Sequence, residues 1–240
     1  MGQSKLKGGD VMMTCEDRLA ETLPSSAKKA IEVLEHAGKQ AYVVGGFVRD
    51  AILGRPCHDV DIATDALWYH TREHFLEAGY RVIETGSAHG TVTVLIDGDP
   101  IEITTYRTDG TYSDHRRPDS VRFVKNIEED LARRDFTVNA VAWNPTRGLV
   151  DPFDGVSDMA RGLIRCVGEP FGRFDEDALR IMRGVRFSAQ LSFAVDAATA
   201  AAIHATAPSL SSVAVERIAQ EYGKIVEAPF AVDALRAFPD

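Results

Sequence analysis

The sequence predicts an α+β fold: a mixed or antiparallel sheet with a few helices, followed by an all-helical module. Two observations carry this. Short β-like runs are confined to the part of the chain before about residue 155, and helical periodicity takes over after it. The composition agrees, since 45% hydrophobic and 26% charged residues in a chain of 240 match a packed globular protein and exclude disordered, collagen-like and coiled-coil classes.

Residues 1 to about 22 carry no periodicity and are expected to form a loose tail. Ser25 or Ser26 is placed to cap a helix through AKKAIEVLEHAG, which Gly38 would close. Strands are expected at 41–44, 59–63, 80–84, 91–96, 101–106 and 121–124. Between the second and third of these, Thr64 and Gly79 frame a helix. Asp97-Gly98 joins two alternating runs and signals a hairpin. Beyond residue 155, DEDALRIMRGVRFSAQL, AATAAAIHATA and VAVERIAQEYGKIVEA read as helices, and APFAVDALRAFPD as a further helix begun. The expected division is a tail at 1–22, a sheet-based head at 23–154 and a helical module at 155–240.

No apolar run approaches the ~20 residues that span a bilayer, and MGQSKLKGGD lacks a signal-peptide core, so a cytoplasmic protein is expected. Cys15, Cys57 and Cys166 are odd in number and far apart, which suits reduced thiols. With 27 basic against 36 acidic residues the net charge is −9, so no global attraction for a polyanion exists. Any nucleic-acid contact must come from local arginines. Arg116 and Arg117 running on to Arg133 and Arg134 form one group, and Arg173, Arg180, Arg183 and Arg186 another; solvated helix faces are the plain alternative.

Asp59-Val60-Asp61 sets two carboxylates two residues apart in a β-like run, where alternation projects both from one face about 7 Å apart. Such a pair suits Mg²⁺, a hard cation that leaves positions open for phosphate oxygens, although an Asp-x-Asp pair is also an ordinary solvated strand end. Upstream, GGFVRD places Gly45 and Gly46 at the end of a strand and Arg49 about a turn further on. Glycines there let backbone N–H groups approach a phosphate, or simply make a tight turn. Glu102 is the acid on the polar side of the apolar strand IEITTY. Brought beside Asp59 and Asp61 it would complete a three-carboxylate site for two-metal nucleotidyl transfer; otherwise it is an exposed strand glutamate.

Four segments in order, AYVVGGFVRDAILGRPCHDVDIATDA, ETGSAHGTVTV, IEEDLARRDFTVNAVAWNP and RFDEDALRIMRGVRFSAQL, resemble the class II tRNA nucleotidyltransferases, the CCA-adding enzymes, and their poly(A) polymerase relatives. The resemblance covers roughly residues 28 to 230. It implies a polymerase β-like nucleotidyltransferase head and a helical neck with the start of a body domain, in relatives that continue through further body and tail domains. It implies addition of CMP and AMP from CTP and ATP to the tRNA 3′ end, with release of pyrophosphate. Asp59 and Asp61 would hold Mg²⁺, Glu102 would be the third acid, and Gly46, Arg49 and Arg134 would contact the triphosphate. Asp135 and Asn139 would brace the head.

The resemblance also assigns Asp177, Arg180, Arg183 and Arg186 to nucleotide binding. Asp177 and Arg180, three apart, would neighbour each other on a helix surface. A carboxylate beside a guanidinium complements the amino donor and ring acceptor of cytosine and adenine, and mismatches guanine and uracil. Without ligand the same two residues are an i,i+3 ion pair. Ideal helix geometry turns Arg186 nearly opposite Asp177, so long side chains or distortion must bring them together. Between Tyr106 and VRFV, the polar loop RTDGTYSDHRRPDS is suited to motion; CC-adders of the family lack much of this segment, so the resemblance implies a subtype other than CC addition. ETGSAHGTVTV argues against poly(A) polymerase. An A-adding enzyme stays open, and so does an inactive nucleotide- or RNA-binding module.

Overall fold

The computed structural model describes residues 13–57, 59–110 and 121–238. In chain order its elements are α1 (Cys15–Thr22), α2 (Ser25–His36), β1 (Ala41–Val44), α3 (Gly46–Ile52), β2 (Asp61–Thr64), α4 (Trp68–Glu77), β3 (Arg81–Ile83), β4 (Thr91–Ile96), β5 (Asp99–Thr105), β6 (Arg107–Asp109), β7 (Val121–Phe123), α5 (Ile127–Ala132), β8 (Ala142–Asn144) and β9 (Gly148–Val150). Then follow α6 (Gly155–Arg161), β10 (Leu163–Ile164), α7 (Pro170–Glu176), α8 (Leu179–Leu191), β11 (Ala194–Val195), α9 (Ala197–Thr206), α10 (Val215–Val226) and α11 (Ala231–Ala237).

Seven strands form one sheet in the order β3-β4-β5-β2-β1-β8-β9. Only β2 and β5 run parallel, so the sheet is mixed. Its central strands are buried on both faces. Ile62, Ile103, Val92 and Val94 join the main core with Phe75 and Leu34, while Tyr42, Val44 and Ala63 join a second cluster with Tyr106 and Leu131. The β4–β5 hairpin turns through Asp97 and Gly98, both with positive φ (54° and 96°), the conformation that an Asp-Gly pair favours.

The expected helical module shares the main core with the head. Phe136 from the head meets Phe187 of α8 edge to face at 5.8 Å, and the same core cluster runs on through Ile181 and Ile203 to Val213. The module also carries β10 and β11, a short parallel pair, so it is not purely helical.

Part of the stretch expected to be a loose tail is a helix. Thr14 and Asp17 form a capping box at the start of α1, whose Leu19 is fully buried and whose Arg18 donates to the Ile52 carbonyl. The helix expected to begin at Thr64 starts instead at Trp68. Thr64 stays in β2, and its hydroxyl accepts from the Ala66 amide at 3.1 Å. The arginine pair 116 and 117, with residues 111–120 of the polar loop, lies outside the described residues; Arg107–Asp109, expected in that loop, pair with β7 instead.

Candidate active site

A cavity of about 670 Å³ opens where the ends of β1 and β2 face α8 and α10. Its walls include Gly45, Gly46, Arg49, Asp59, Asp61, Arg134, Arg180, Arg183 and Arg186, so eight of the ten residues singled out from sequence meet at one place, and Glu102 and Asp177 are the two that do not line it.

The acidic wall comes from strand register. Asp61 opens β2, opposite Val44 on one side and Glu102 on the other. Asp59 stands just ahead of the strand, not within it as expected, yet the alternation survives: Val60 is buried between two exposed aspartates. Asp61 opens to the cavity, but the protein crowding its flanks pushes its carboxyl above the usual range, and the charges of Glu102 and Asp59 add to the shift against the pull of Arg134. Among the described residues, no three His, Cys, Asp or Glu side chains gather tightly enough to form a ready ligand set. Glu102 lies in register beside Asp61 on the adjacent strand, as the expected three-carboxylate site requires, while Asp59 precedes the strand. The donor chemistry still fits a hard divalent cation, since hard oxygen ligands are present and like charges crowd Asp61.

The basic wall begins at the glycine turn. Gly45 has φ +71°, a conformation that favours glycine, and a Cβ there would sit 3.2 Å from Nη1 of Arg134, close enough to press on that guanidinium. Gly46, the glycine selected from sequence, is the less constrained of the two. Arg134 is anchored through Nη2 to Asp130 at 3.1 Å, while its buried Nε has no hydrogen-bond partner. Asp130 also accepts from Arg133 Nε at 3.0 Å, and the two guanidiniums outweigh burial to hold its carboxyl low.

A relay crosses from α3 to α8. Arg49 grips Asp50 with two nitrogens and donates from Nη1 to Asn139 Oδ1 at 2.7 Å. Asn139 donates to Asp135 Oδ1 at 3.2 Å, and Arg183 Nε donates to Asp135 Oδ2 at 2.7 Å. Against the cost of burial, Arg183, Asn139 and the Phe136 amide bring the Asp135 carboxyl down to about 2. The bracing role implied for Asp135 and Asn139 has this geometry.

Asp177 and Arg180 do not form the expected pair on one helix. Asp177 lies between α7 and α8 with extended backbone, where its carboxylate caps Leu179 at 3.1 Å and faces Arg217 of α10 at 3.4 Å. Arg180 donates to Glu176 at 2.7 Å and to the Arg133 carbonyl at 3.2 Å. With Asp177 outside the helix, helical rotation no longer relates it to Arg186, and Asp177 does not line the cavity that Arg186 lines. Arg186 pairs with Glu221 of α10 at 2.6 Å and lies 4.1 Å from the centre of the Phe187 ring.

Arg133 belongs to the arginine group that the sequence marks, without an assigned role there, whereas Phe187 and Lys224 of this wall were not foreseen. Phe187 and Lys224 carry no signal in a helical pattern.

Sheet, glycine turn and arginine wall together define an α+β nucleotidyltransferase head followed by a helical neck. Residues 41–165 match the family model of the poly A polymerase head domain, and residues 192–238 the model of the probable RNA and SrmB-binding site of polymerase A. The chain belongs to the poly A polymerase head-domain family. It is 49% identical over 217 residues to the CCA-adding enzyme of Leuconostoc citreum, an overlap of 89% of this chain and 53% of that protein. With the CCA-adding enzyme of Geobacillus thermodenitrificans it shares 50% over 205 residues, 85% of this chain and 50% of that one. The crystal structure of the Bacillus stearothermophilus CCA-adding enzyme in complex with CTP superposes with a TM-score of 0.81 at 46% identity, covering 89% of this chain and 51% of that chain. The chain spans about half the length of the curated relatives it matches. Among the described residues no helix is long and apolar enough to cross a membrane.

Proposed function

We propose that this chain carries the catalytic centre of a CCA-adding tRNA nucleotidyltransferase, transferring CMP and AMP from CTP and ATP to the tRNA 3′ end with release of pyrophosphate, in the cytoplasm. The observation that carries this reading is the cavity itself, with Asp59 and Asp61 on one wall and arginines from α3, α8 and the Arg133-Arg134 doublet on the others. Asp59 and Asp61, with Glu102 beside them, would hold Mg²⁺, which when bound supplies activation of the 3′-hydroxyl and charge neutralisation at the phosphates. Arg134, whose Nε is unmatched, and Arg49 bind the triphosphate, and the glycine turn lets it approach the backbone. Arg180 and Asp177 read the base, which requires Asp177 to exchange its Arg217 partner for the nucleotide.

The test is incubation with Mg²⁺, labelled CTP or ATP, and tRNAs ending before CCA, after C, or after CC. Incorporation that Asp61→Ala abolishes is expected. ATP addition restricted to the CC-ended acceptor would mark an A-adding enzyme instead, and repeated ATP addition a poly(A) polymerase. A second reading is a nucleotide-binding module without turnover. That reading predicts CTP and ATP binding with no incorporation on any acceptor.

A further inference from the structure

Three arginines of the cavity surround a single aromatic ring. The guanidinium carbons of Arg186, Arg49 and Arg183 lie 4.1, 5.2 and 5.5 Å from the centre of the Phe187 ring, all within the ~6 Å over which a ring face attracts a cation. The arginines come from different elements, Arg49 from α3 and the other two from α8, and each has its own carboxylate: Asp50, Asp135 and Glu221 respectively. Phe187 is 4% exposed and fixed from behind by its edge-to-face contact with Phe136.

Three like charges brought this close repel one another; the Asn139–Asp135 relay joins Arg49 to Arg183, but Arg186 pairs separately with Glu221. The ring is the one feature common to all three. The geometry points to Phe187 as a positioning residue, whose electron-rich ring holds the guanidiniums of Arg49, Arg183 and Arg186 together as a preassembled receptor for the phosphates of a nucleoside triphosphate. This rests on the nucleotide-site reading above and adds to it a residue that need not touch the nucleotide. An aliphatic side chain would keep an apolar contact with Phe136 but not the charge gathering. Preassembly matters because less of the binding free energy is then spent ordering long side chains when the anion arrives.

The test separates ring electronics from packing. Phenylalanine carrying one, two or three fluorines is placed at position 187, which drains charge from the ring face at nearly constant shape, alongside Phe187→Leu. Affinity for CTP is measured by calorimetry, thermal unfolding by circular dichroism, and the side-chain Nε–Hε resonances of the arginines by NMR in the nucleotide-free protein. The expected result is a Kd that climbs stepwise with fluorine count, by roughly ten-fold over the series. The Arg186 resonance should move in parallel while the unfolding midpoint of the fluorinated proteins holds steady. CTP affinity and arginine resonances both indifferent to fluorine would overturn the proposal, whatever Phe187→Leu does to folding. A protein that binds no CTP, yet whose Arg186 signal tracks the ring substitution, would overturn the nucleotide-site reading and leave the arginine gathering by Phe187 supported.

Discussion

Asp61 combines three demands that pull against one another: a strand end, crowded flanks and a position beside two other acids. Its raised carboxyl means that the folded chain binds more protons than the unfolded one from about pH 4 upward, so this residue subtracts stability as pH rises through that window. Asp61→Asn should therefore raise the melting temperature at neutral pH while removing nucleotidyl transfer, and Mg²⁺ should stabilise the wild-type chain more than the variant. Thermal melts with and without Mg²⁺ check both halves. Asp135 has the opposite sign. Its carboxyl sits at about 2 in the fold, so its contribution is present above about pH 4 and is lost as pH falls from there towards 2. Over that interval wild type should lose roughly 2 kcal/mol that Asp135→Asn does not lose, since the variant has given it up at every pH. Denaturant midpoints across the acid range measure this. Both aspartates were legible in sequence as members of motifs, but the sign of each shift was not, because it depends on which side chains the fold brings against them.

At the scale of elements, Gly155 shows how the helical part is tied to the site. A Cβ there would collide with the Thr137 carbonyl oxygen and with a methyl of Val141, and backbone cannot step aside as a flexible side chain can. The 3₁₀ turn it presses on, Thr137–Asn139, ends at the residue that orients Arg49. Gly155→Ala should cost about 1 to 3 kcal/mol and, by displacing Asn139, weaken nucleotide binding as well. Chemical denaturation and CTP titration of one preparation would show both effects, and lost stability with unchanged CTP affinity would remove the link to Arg49. Strands with a clear alternating or apolar run, β1 at 41–44 and β4 at 91–96, were readable to the residue. The short strands β8 to β11 were not, because two or three residues carry no periodicity and their pairing is set by distant partners. α1 was missed for a different reason. A capping box at Thr14 was present in the sequence, but α1 is only eight residues long and depends on packing of Leu19 and on Arg18 reaching Ile52.

For the whole molecule the governing contrast is between a net charge of −9 and a cavity whose described walls hold seven basic side chains against three acidic ones. Attraction for a polyanion is thus local, and it acts over a distance set by screening, about 8 to 10 Å in ordinary buffers. The sequence showed that such locality was required but not where it lay, since arginines at 49, 134, 180, 183 and 186 become one surface only when α3 and α8 pack on a common core. A limit on RNA binding follows. An excess of about four positive charges can neutralise about four phosphates of a single-stranded 3′ end, which corresponds to a log–log salt slope near −3. Anisotropy of a labelled tRNA ending in CC, titrated with this chain across a potassium chloride series, should give a slope no steeper than that. The longer CCA-adding enzyme of Leuconostoc citreum, of which the overlap covers 53%, should give a steeper slope on the same RNA if its additional length carries phosphate contacts. Equal slopes near −3 would place the RNA grip of both proteins in this cavity. A slope beyond about −6 for the present chain would mean that RNA follows a surface outside it, and that the acidic exterior is not the barrier its net charge implies.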